Sequence, residues 1–443
     1  MFSTIRNAFR NPDLRKKLLY IFFIIVVFRL GSCILVPFVN TEALKDLIGE
    51  GNNLFGLLDT FSGGAFGNAT LFALSISPYI TAQIIIQLLA VAIPPLERLT
   101  KEGETGRHKL DKITKLVTLA MAGLQGFGYY TLVRYKAEKG LSSAYIQGWE
   151  QYFVAASIVL CFVAGAFVVT WLGDRITEKG IGNGISIILF AGILAGMPNN
   201  LQVLYERFMG GIHKMQNPAL ESGTVGDIFY IPFILLIFAA MIVFIVIMTD
   251  AERRIPVQYA KRVVGRKMYG GQSSYIPIKV NMSSVLPIIF ASSLLSLPAT
   301  IAAFAQPTTP FWQTFLNWMS PQHWFYGILY FLLIIGFNYF YVAIQYNPIE
   351  IANNIKNNNG AIPGIRPGKP TSTFISKVLS KIVFIGAIFL GIIAVFPIVF
   401  NSVTGLPVAL GGTSIIIVVG VALETMQQLE SQMMMRHHKG FLE

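Results

Sequence analysis

The chain has 443 residues, 54% of them hydrophobic and 13% charged, with a formal net charge of +12. That charged fraction is about half the value of an ordinary soluble domain, which argues against a water-soluble globular fold. Two cysteines, Cys33 and Cys161, are too few for a disulfide-built scaffold and are read as packing residues inside spans.

A helix needs about 20 mostly apolar residues to cross roughly 30 Å of hydrocarbon. Ten segments qualify: 18–39, 69–93, 114–134, 152–173, 184–205, 228–249, 285–306, 325–346, 378–400 and 407–429. The expected class is an all-α membrane protein with ten transmembrane helices. Barrel strands would instead be about ten residues long and alternate in polarity. The first segment follows Arg6, Arg10, Arg15, Lys16 and Lys17 as in a signal peptide, but its apolar run is too long and no small-x-small site follows. It is read as a permanent span. With the N-terminus cytoplasmic, 27 of the 34 Lys and Arg lie on the cytoplasmic side and 6 outside, leaving Arg29 within a span. This is the positive-inside distribution, with both termini cytoplasmic, and it accounts for the charge without nucleic acid.

Between the first two spans, residues 54–67 are apolar, too short to cross, and broken by Gly56, Gly63, Gly64 and Gly67. Non-helical backbone at membrane depth is tolerated only against protein or a water-filled cavity. A short re-entrant helix is expected there, an interfacial loop being the alternative. The span interiors are read as free of Asp, Glu, Lys and His. Arg29, near a span centre, costs roughly 2.5–3.5 kcal/mol on insertion scales and is expected to face the bundle interior or a wet cavity. Carbonyls at the end of the re-entrant segment are its candidate partners.

Ten spans divide five plus five around an external hinge loop at 206–227, giving an N-terminal half over 1–205 and a C-terminal half over 228–443. Two inverted repeats around a central pore suit that count, although the halves share no residue-level similarity. Two cytoplasmic loops of the second half, 250–284 and 347–377, are long enough to protrude. The first is basic, with Arg253, Arg254, Lys261 and Arg262. The second ends in Pro363-Gly364-Ile365-Arg366-Pro367-Gly368, where proline and glycine should hold Arg366 at a stiff tip. Retaining the loops in the cytoplasm is the simpler use of these charges.

No catalytic constellation is present. Gly364–Lys369 fails as a phosphate loop because Pro363 replaces its first glycine, and His437-His438 lacks further metal-ligand spacing. Asn68-Ala69-Thr70 and Asn281-Met282-Ser283 match the glycosylation pattern only at the level of chance. The sequence reads as a non-enzyme without cofactor or metal.

Several strings point to a family. They are Val27-Phe28-Arg29-Leu30-Gly31, Phe61-Ser62-Gly63-Gly64, Ser77–Leu89 (SPYITAQIIIQLL), Lys101–Arg107 (KEGETGR), Gly180–Ser186 (GIGNGIS), Lys279-Val280-Asn281-Met282, Pro363–Gly368 and Gly411-Gly412-Thr413-Ser414. Together, and in this order, they resemble the SecY family, the pore subunits of the bacterial protein-translocation channel, along essentially the whole chain. The resemblance implies two halves hinged like a clam shell around an hourglass pore. It implies a hydrophobic ring at Ile76, Ile80, Ile185, Leu189, Ile289 and Ile417, with Leu189 where isoleucine is usual. It implies a plug at about 54–67, including Leu58, Phe61, Ser62, Gly63 and Gly64. A lateral gate is implied between the second and seventh spans, flanked by the third and eighth, with Thr81, Gln87, Gln125, Ser292, Ser293 and Leu297 along it. Arg253, Arg254, Lys261, Arg262 and Arg366 are implied to dock the SecA motor ATPase or the ribosome. SecE and SecG are the implied companion subunits, signal sequences the implied substrates, and the bacterial cytoplasmic membrane the implied location.

A protein-conducting channel is thus the leading expectation. A secondary transporter of a small solute is the runner-up, and a pore-less membrane assembly factor a third reading. Missing intramembrane carboxylates and long basic loops favour the channel.

Overall fold

The computed structural model describes residues 6, 8–41, 44, 59, 62–135, 149–216, 227–259, 262–264, 267–269, 273–305, 309–320, 323–404 and 412–437. Each of the ten apolar segments contains a helix over at least part of its length. α1 (Pro12–Gly31) begins where the Asn11 side chain accepts from the Asp13 amide, with proline in its first turn. α2 (Ser77–Ala92) bends by 106° into α3, Pro94–Lys101. Pro94 and Pro95 force that break, because proline disfavours a helical residue before it. α4 (Glu104–Tyr135), α5 (Glu150–Lys179) and α6 (Gly184–Gln216) follow, then α7 (Asp227–Asp250) and α8 (Leu286–Ala305). The short α9 (Pro310–Trp318) precedes α10 (Trp324–Gln345), and α11 (Pro348–Asn357) precedes α12 (Lys369–Thr404) and α13 (Gly412–His437).

By length and composition, five of the described helices qualify as membrane spans, or six with the bent pair. α1 carries Asp13, Arg15, Lys16 and Lys17 in its first two turns. Pro198 and Pro298 lie inside α6 and α8, which continue through them to Gln216 and Ala305.

Four expectations change in detail. The second apolar segment is helical only from Ser77, and residues 69–76 form turns. The hinge loop is shorter than 206–227, because α6 runs on to Gln216. Gln202 and Glu206 pair at i,i+4 along that extension (2.9 Å), where side chains one turn apart meet. Cys33 lies beyond the end of α1 and is exposed. Glu424, inside the tenth predicted segment, is a half-buried carboxylate that accepts from the Ser284 hydroxyl at 3.5 Å. One turn on, Gln427 donates to Asp250 at the end of α7 (3.0 Å) and accepts from Lys279. Glu424 therefore belongs to a polar network at the ends of these elements.

The helices pack in a closed circuit. α2 lies on α4, α4 on α5, α5 on α6, and α6 meets α7 and α13. α13 continues to α12, α12 to α10, and α10 to α8, which closes the circuit on α2 and α4. One apolar cluster joins both halves through Ile76, Ile80, Leu189, Ile289 and Ile417. Lys115 of α4 bridges Asp111 and Asp174 of α5, both at 2.8 Å, tying those two helices at one end. Within the second half, buried Asn338 of α10 accepts from Ser283 and donates to the Val383 carbonyl of α12 at 2.9 Å.

The loop between α7 and α8 is a β structure that the sequence reading did not anticipate. β1 (Glu252–Tyr259), β2 (Arg262–Val264), β3 (Lys267–Tyr269) and β4 (Ser273–Lys279) precede α8, and β5 (Gly360–Ala361) follows α11. β1 pairs antiparallel with β4, placing Glu252 opposite Lys279 and Gln258 opposite Ser273. β5 pairs with the other edge of β1, Gln258 opposite Ala361, giving the order β4-β1-β5. Alternation along β1 turns Ile255 and Val257 inward onto Ala352, Ile355, Ile362, Ile375 and Leu379. The two protruding loops are therefore one body with its own core.

Replacing Asn338 with Ala leaves Ser283 without its acceptor and unties α10 from α12, a loss of about 1–3 kcal/mol for a buried polar group. A lower thermal midpoint of the purified protein in detergent is expected. An unchanged midpoint would show that the staple contributes nothing.

Candidate functional site

The described part of the glycine-broken segment satisfies its backbone without forming a regular helix. Residues 59 and 62 are helical, and the chain then turns repeatedly to Ile76. The Ser62 hydroxyl donates to the Asp59 carbonyl (3.0 Å) and accepts from the Phe66 amide (2.9 Å). The Asp59 carboxylate accepts from the Gly67 amide at 2.7 Å, and the Asn68 side chain donates to the Gly64 carbonyl at 2.7 Å. Gly63 and Gly64 sit at φ +68° and +85°, the left-handed region that glycine enters freely. Leu58 and Phe61, also expected in this segment, lie outside the described residues.

Three contacts fasten the segment to the surrounding helices. Arg29 of α1 donates to the Gly63 carbonyl at 3.4 Å, joining the intramembrane charge to the kind of partner expected for it. A side chain at Gly63 would collide with the Gly192 carbonyl of α6, 2.5 Å from its Cβ position. Tyr129 of α4 donates its hydroxyl to the Phe66 carbonyl at 2.7 Å. Its ring also meets Phe66 edge-on and Phe162 of α5, with centroids 4.8 and 4.6 Å away. All of these anchors come from α1, α4, α5 and α6.

The six aliphatic residues expected in a ring come from four helices. Ile76 caps the N-terminus of α2, and Ile80 follows one turn later. Ile185 and Leu189 open α6, and the glycine-rich motif before them explains their placement. Gly182 takes φ +92°, and the Asn183 side chain caps α6 by accepting from the Ile185 amide at 3.1 Å. Gly184 lies so close to the Gly173 carbonyl of α5 that a Cβ would stand 1.9 Å from it. Ile289 lies in the first turn of α8, and Ile417 in the second turn of α13. Five of the six are buried in the cluster shared by both halves, and half-buried Ile185 packs against it.

Along the expected gate, α8 packs on both α2 and α4, and α10 backs α8. Gln87, Gln125, Ser292, Ser293 and Leu297 are half-buried and Thr81 is buried. The hydroxyls turn inward on their own helices: Thr81 donates to Ser77 at 3.0 Å and Ser292 to Ile289 at 2.9 Å. Among the described residues, no side-chain hydrogen bond joins Gln87 or Gln125 to the serines of α8.

A family model described as SecY matches residues 70–426. The protein translocase subunit SecY of Streptomyces galbus is 45% identical over 455 aligned positions, covering all of both chains. The chain belongs to the SecY family. It is a protein-conducting channel subunit of a Sec translocase, a non-enzymatic pore. A solved SecY structure, described by a plug domain that stabilises the closed channel, superposes with a TM-score of 0.63 at 18% identity, covering 94% of this chain and 91% of that one. Sec61 from a canine ribosome-channel complex gives 0.59 at 16% identity with the same coverage.

Of the basic residues expected to dock partners of this SecY-family chain, Arg253 and Arg254 lie on β1 and Arg366 in the turn between β5 and α12. Arg253 is exposed on β1. Arg254 pairs with Glu252 at 2.6 Å and lies over the Tyr275 ring at 4.8 Å. The hydrogen bond to Glu252 holds its guanidinium pKa above the ordinary arginine value. Arg366 is exposed between Gly364 (φ +79°) and Gly368 (φ +102°), and its carbonyl accepts from Thr371 at 2.9 Å. The backbone of Arg262 belongs to β2, and Lys261 lies outside the described residues. Sequence reasoning missed Asp59, Tyr129 and Gly192. Asp59 carried a signal as the one charge in an apolar segment, whereas Tyr129 and Gly192 carried none.

Replacing Gly63 with Ala forces a Cβ against the Gly192 carbonyl and makes a left-handed residue pay about 1–2 kcal/mol. Amide exchange across residues 62–70 should speed up roughly tenfold. Wild-type exchange in that stretch would mean that the close approach does not hold it.

Proposed function

We propose that Ile76, Ile80, Ile185, Leu189, Ile289 and Ile417 form the seal of the pore, and that residues 54–67 are its plug. Ten helices then cross the bacterial cytoplasmic membrane in two halves, 1–205 and 228–443, with both termini in the cytoplasm. Polypeptides cross through the centre, and hydrophobic segments leave sideways between α2 and α8. The observation that carries this reading is the sharing of one apolar cluster by ring residues of both halves, beside a segment whose described anchors lie on the first half. Branched aliphatic side chains offer an ion no replacement for its hydration shell. They also form no directional bonds, so they yield around an unfolded chain. Because Thr81 and Ser292 satisfy their hydroxyls within their own helices where α8 meets α2 and α4, a hydrophobic segment can replace those contacts without stranding these groups.

SecE and SecG complete the channel in this reading, and SecA or the ribosome docks on the β platform. The platform's shared core supports a rigid docking surface, on which Arg253, Arg254 and Arg366 are each exposed. Ribosomal phosphates would make that contact salt-sensitive.

Replacing Ile80, Ile185, Ile289 and Ile417 together with Ser should widen and wet the waist. In planar bilayers, the folded quadruple variant is expected to show larger or more frequent ion-conducting events, increased further when residues 60–67 are also deleted. Wild-type conductance in both variants would exclude these elements as the seal. On the platform, Arg366→Glu replaces attraction with repulsion and should weaken SecA binding roughly tenfold, about 1.4 kcal/mol, while membrane insertion is retained. Vesicle-bound affinity and preprotein transport report it, and normal values for both would remove Arg366 from the docking site.

A further inference from the structure

The chain carries no Asp, Glu, Lys or Arg between Lys279 and Glu350. Those residues include α8 and α10 and also the connection between them, a region where other loops place charge. α8 has 20 residues and rises about 30 Å, a full hydrocarbon thickness. The connection thus emerges at the boundary of the hydrocarbon and returns into it through α10.

Within that connection α9 is amphipathic. At 100° per residue, Trp318, Phe311, Phe315, Met319 and Trp312 fall on one arc, while Gln313, Asn317 and Thr314 fall on the opposite one. Met319 packs against the main apolar cluster. Phe311, Trp312 and Trp318 remain exposed, Phe311 at 74%. Their rings continue into the start of α10. Trp312 stands 5.7 Å from Phe315, and Trp318 stands 5.7 Å from Phe325 and 6.1 Å from His323. Trp324, which opens α10, is exposed beside them. Water makes such an aromatic surface costly, and the main neighbours of α9 among the described elements are α8 and α10. Tryptophan favours the layer between headgroups and acyl chains, where its ring is apolar and its N–H stays wet. The absence of charge leaves no electrostatic feature for an acidic or basic partner.

We propose that α9 lies in the lipid interface as an anchor, its aromatic arc in the headgroup–acyl boundary, and fixes the depth at which α8 leaves the membrane. The occupant of this face is phospholipid. The depth assignment stands on composition and geometry, and only its consequence for sideways release rests on the gate reading given above.

The test is depth-dependent fluorescence quenching. A variant keeping Trp312, with Trp149, Trp171, Trp318 and Trp324 replaced by Phe, is reconstituted as the full chain in phosphatidylcholine vesicles. The acyl chains are brominated near the headgroup in one preparation and near the chain end in another. Shallow bromine is expected to quench Trp312 roughly twofold more strongly than deep bromine, with weak quenching by aqueous iodide. Strong iodide quenching without bromine quenching would put α9 in water and overturn the proposal. Protection from both would mean that a second copy or another protein covers the face, and would overturn it equally. Should the four replacements disturb folding, Trp312→Phe alone must remove a matching share of the shallow quenching seen in the otherwise unaltered chain, and no loss would count against the anchor. Ion conductance and preprotein transport do not enter this readout, so failure of the gate reading and failure of the anchor are separable.

Discussion

A backbone amide or carbonyl stranded in hydrocarbon costs several kcal/mol, and a regular helix is the ordinary way to avoid that cost. Residues 62–76 forgo it. They turn on themselves within a helical bundle, so each polar group must find a partner among side chains or neighbouring loops. Asp59, Ser62 and Asn68 supply local partners, and Arg29 and Tyr129 supply distant ones. The Leu71 amide reaches the Ile34 carbonyl at 2.8 Å, and the Val36 amide reaches the Ala69 carbonyl at 2.9 Å. The rest of the first half is arranged around meeting these demands.

The same constraint explains why Arg29 is tolerated. A guanidinium in a span is expensive unless it faces something polar, and an irregular segment offers a carbonyl that a neighbouring helix would have used internally. Each feature therefore supports the other. The second half meets its polar demands differently: Asn338 stitches Ser283 to α12, and α8, α10 and α12 pack together. Between that stitched unit and α2 and α4, Thr81 and Ser292 satisfy their hydroxyls within their own helices.

The β platform illustrates a further division of labour. Sheet pairing between β1 and β5 joins residues about a hundred positions apart, and the platform's buried aliphatics also draw on α11 and α12. The turn that carries Arg366 lies between β5 and α12 and so joins the sheet to the bundle.

By itself, the sequence determined what depends on composition and local chemistry. Each of the ten apolar runs holds a helix, because hydrophobicity over about 20 residues is a local sum. Charge asymmetry gave an orientation, and glycines between the first two spans marked the irregular segment. Proline and glycine around Arg366 gave its exposed tip. Tertiary structure decided what depends on residues distant in the chain. Hydropathy could not say that Tyr129 bonds the Phe66 carbonyl, that Gly63 needs space against Gly192, or that two loops share one sheet. Nor could it separate Ile289 or Ile417 from dozens of other span isoleucines, since packing alone distinguishes a residue facing the shared cluster from one facing lipid. The end of α6 was misjudged for a related reason. A helix keeps its own backbone bonds after its apolar run stops, so polar residues such as Glu206, which accepts from Gln202, continue it where the hydropathy signal has already ended.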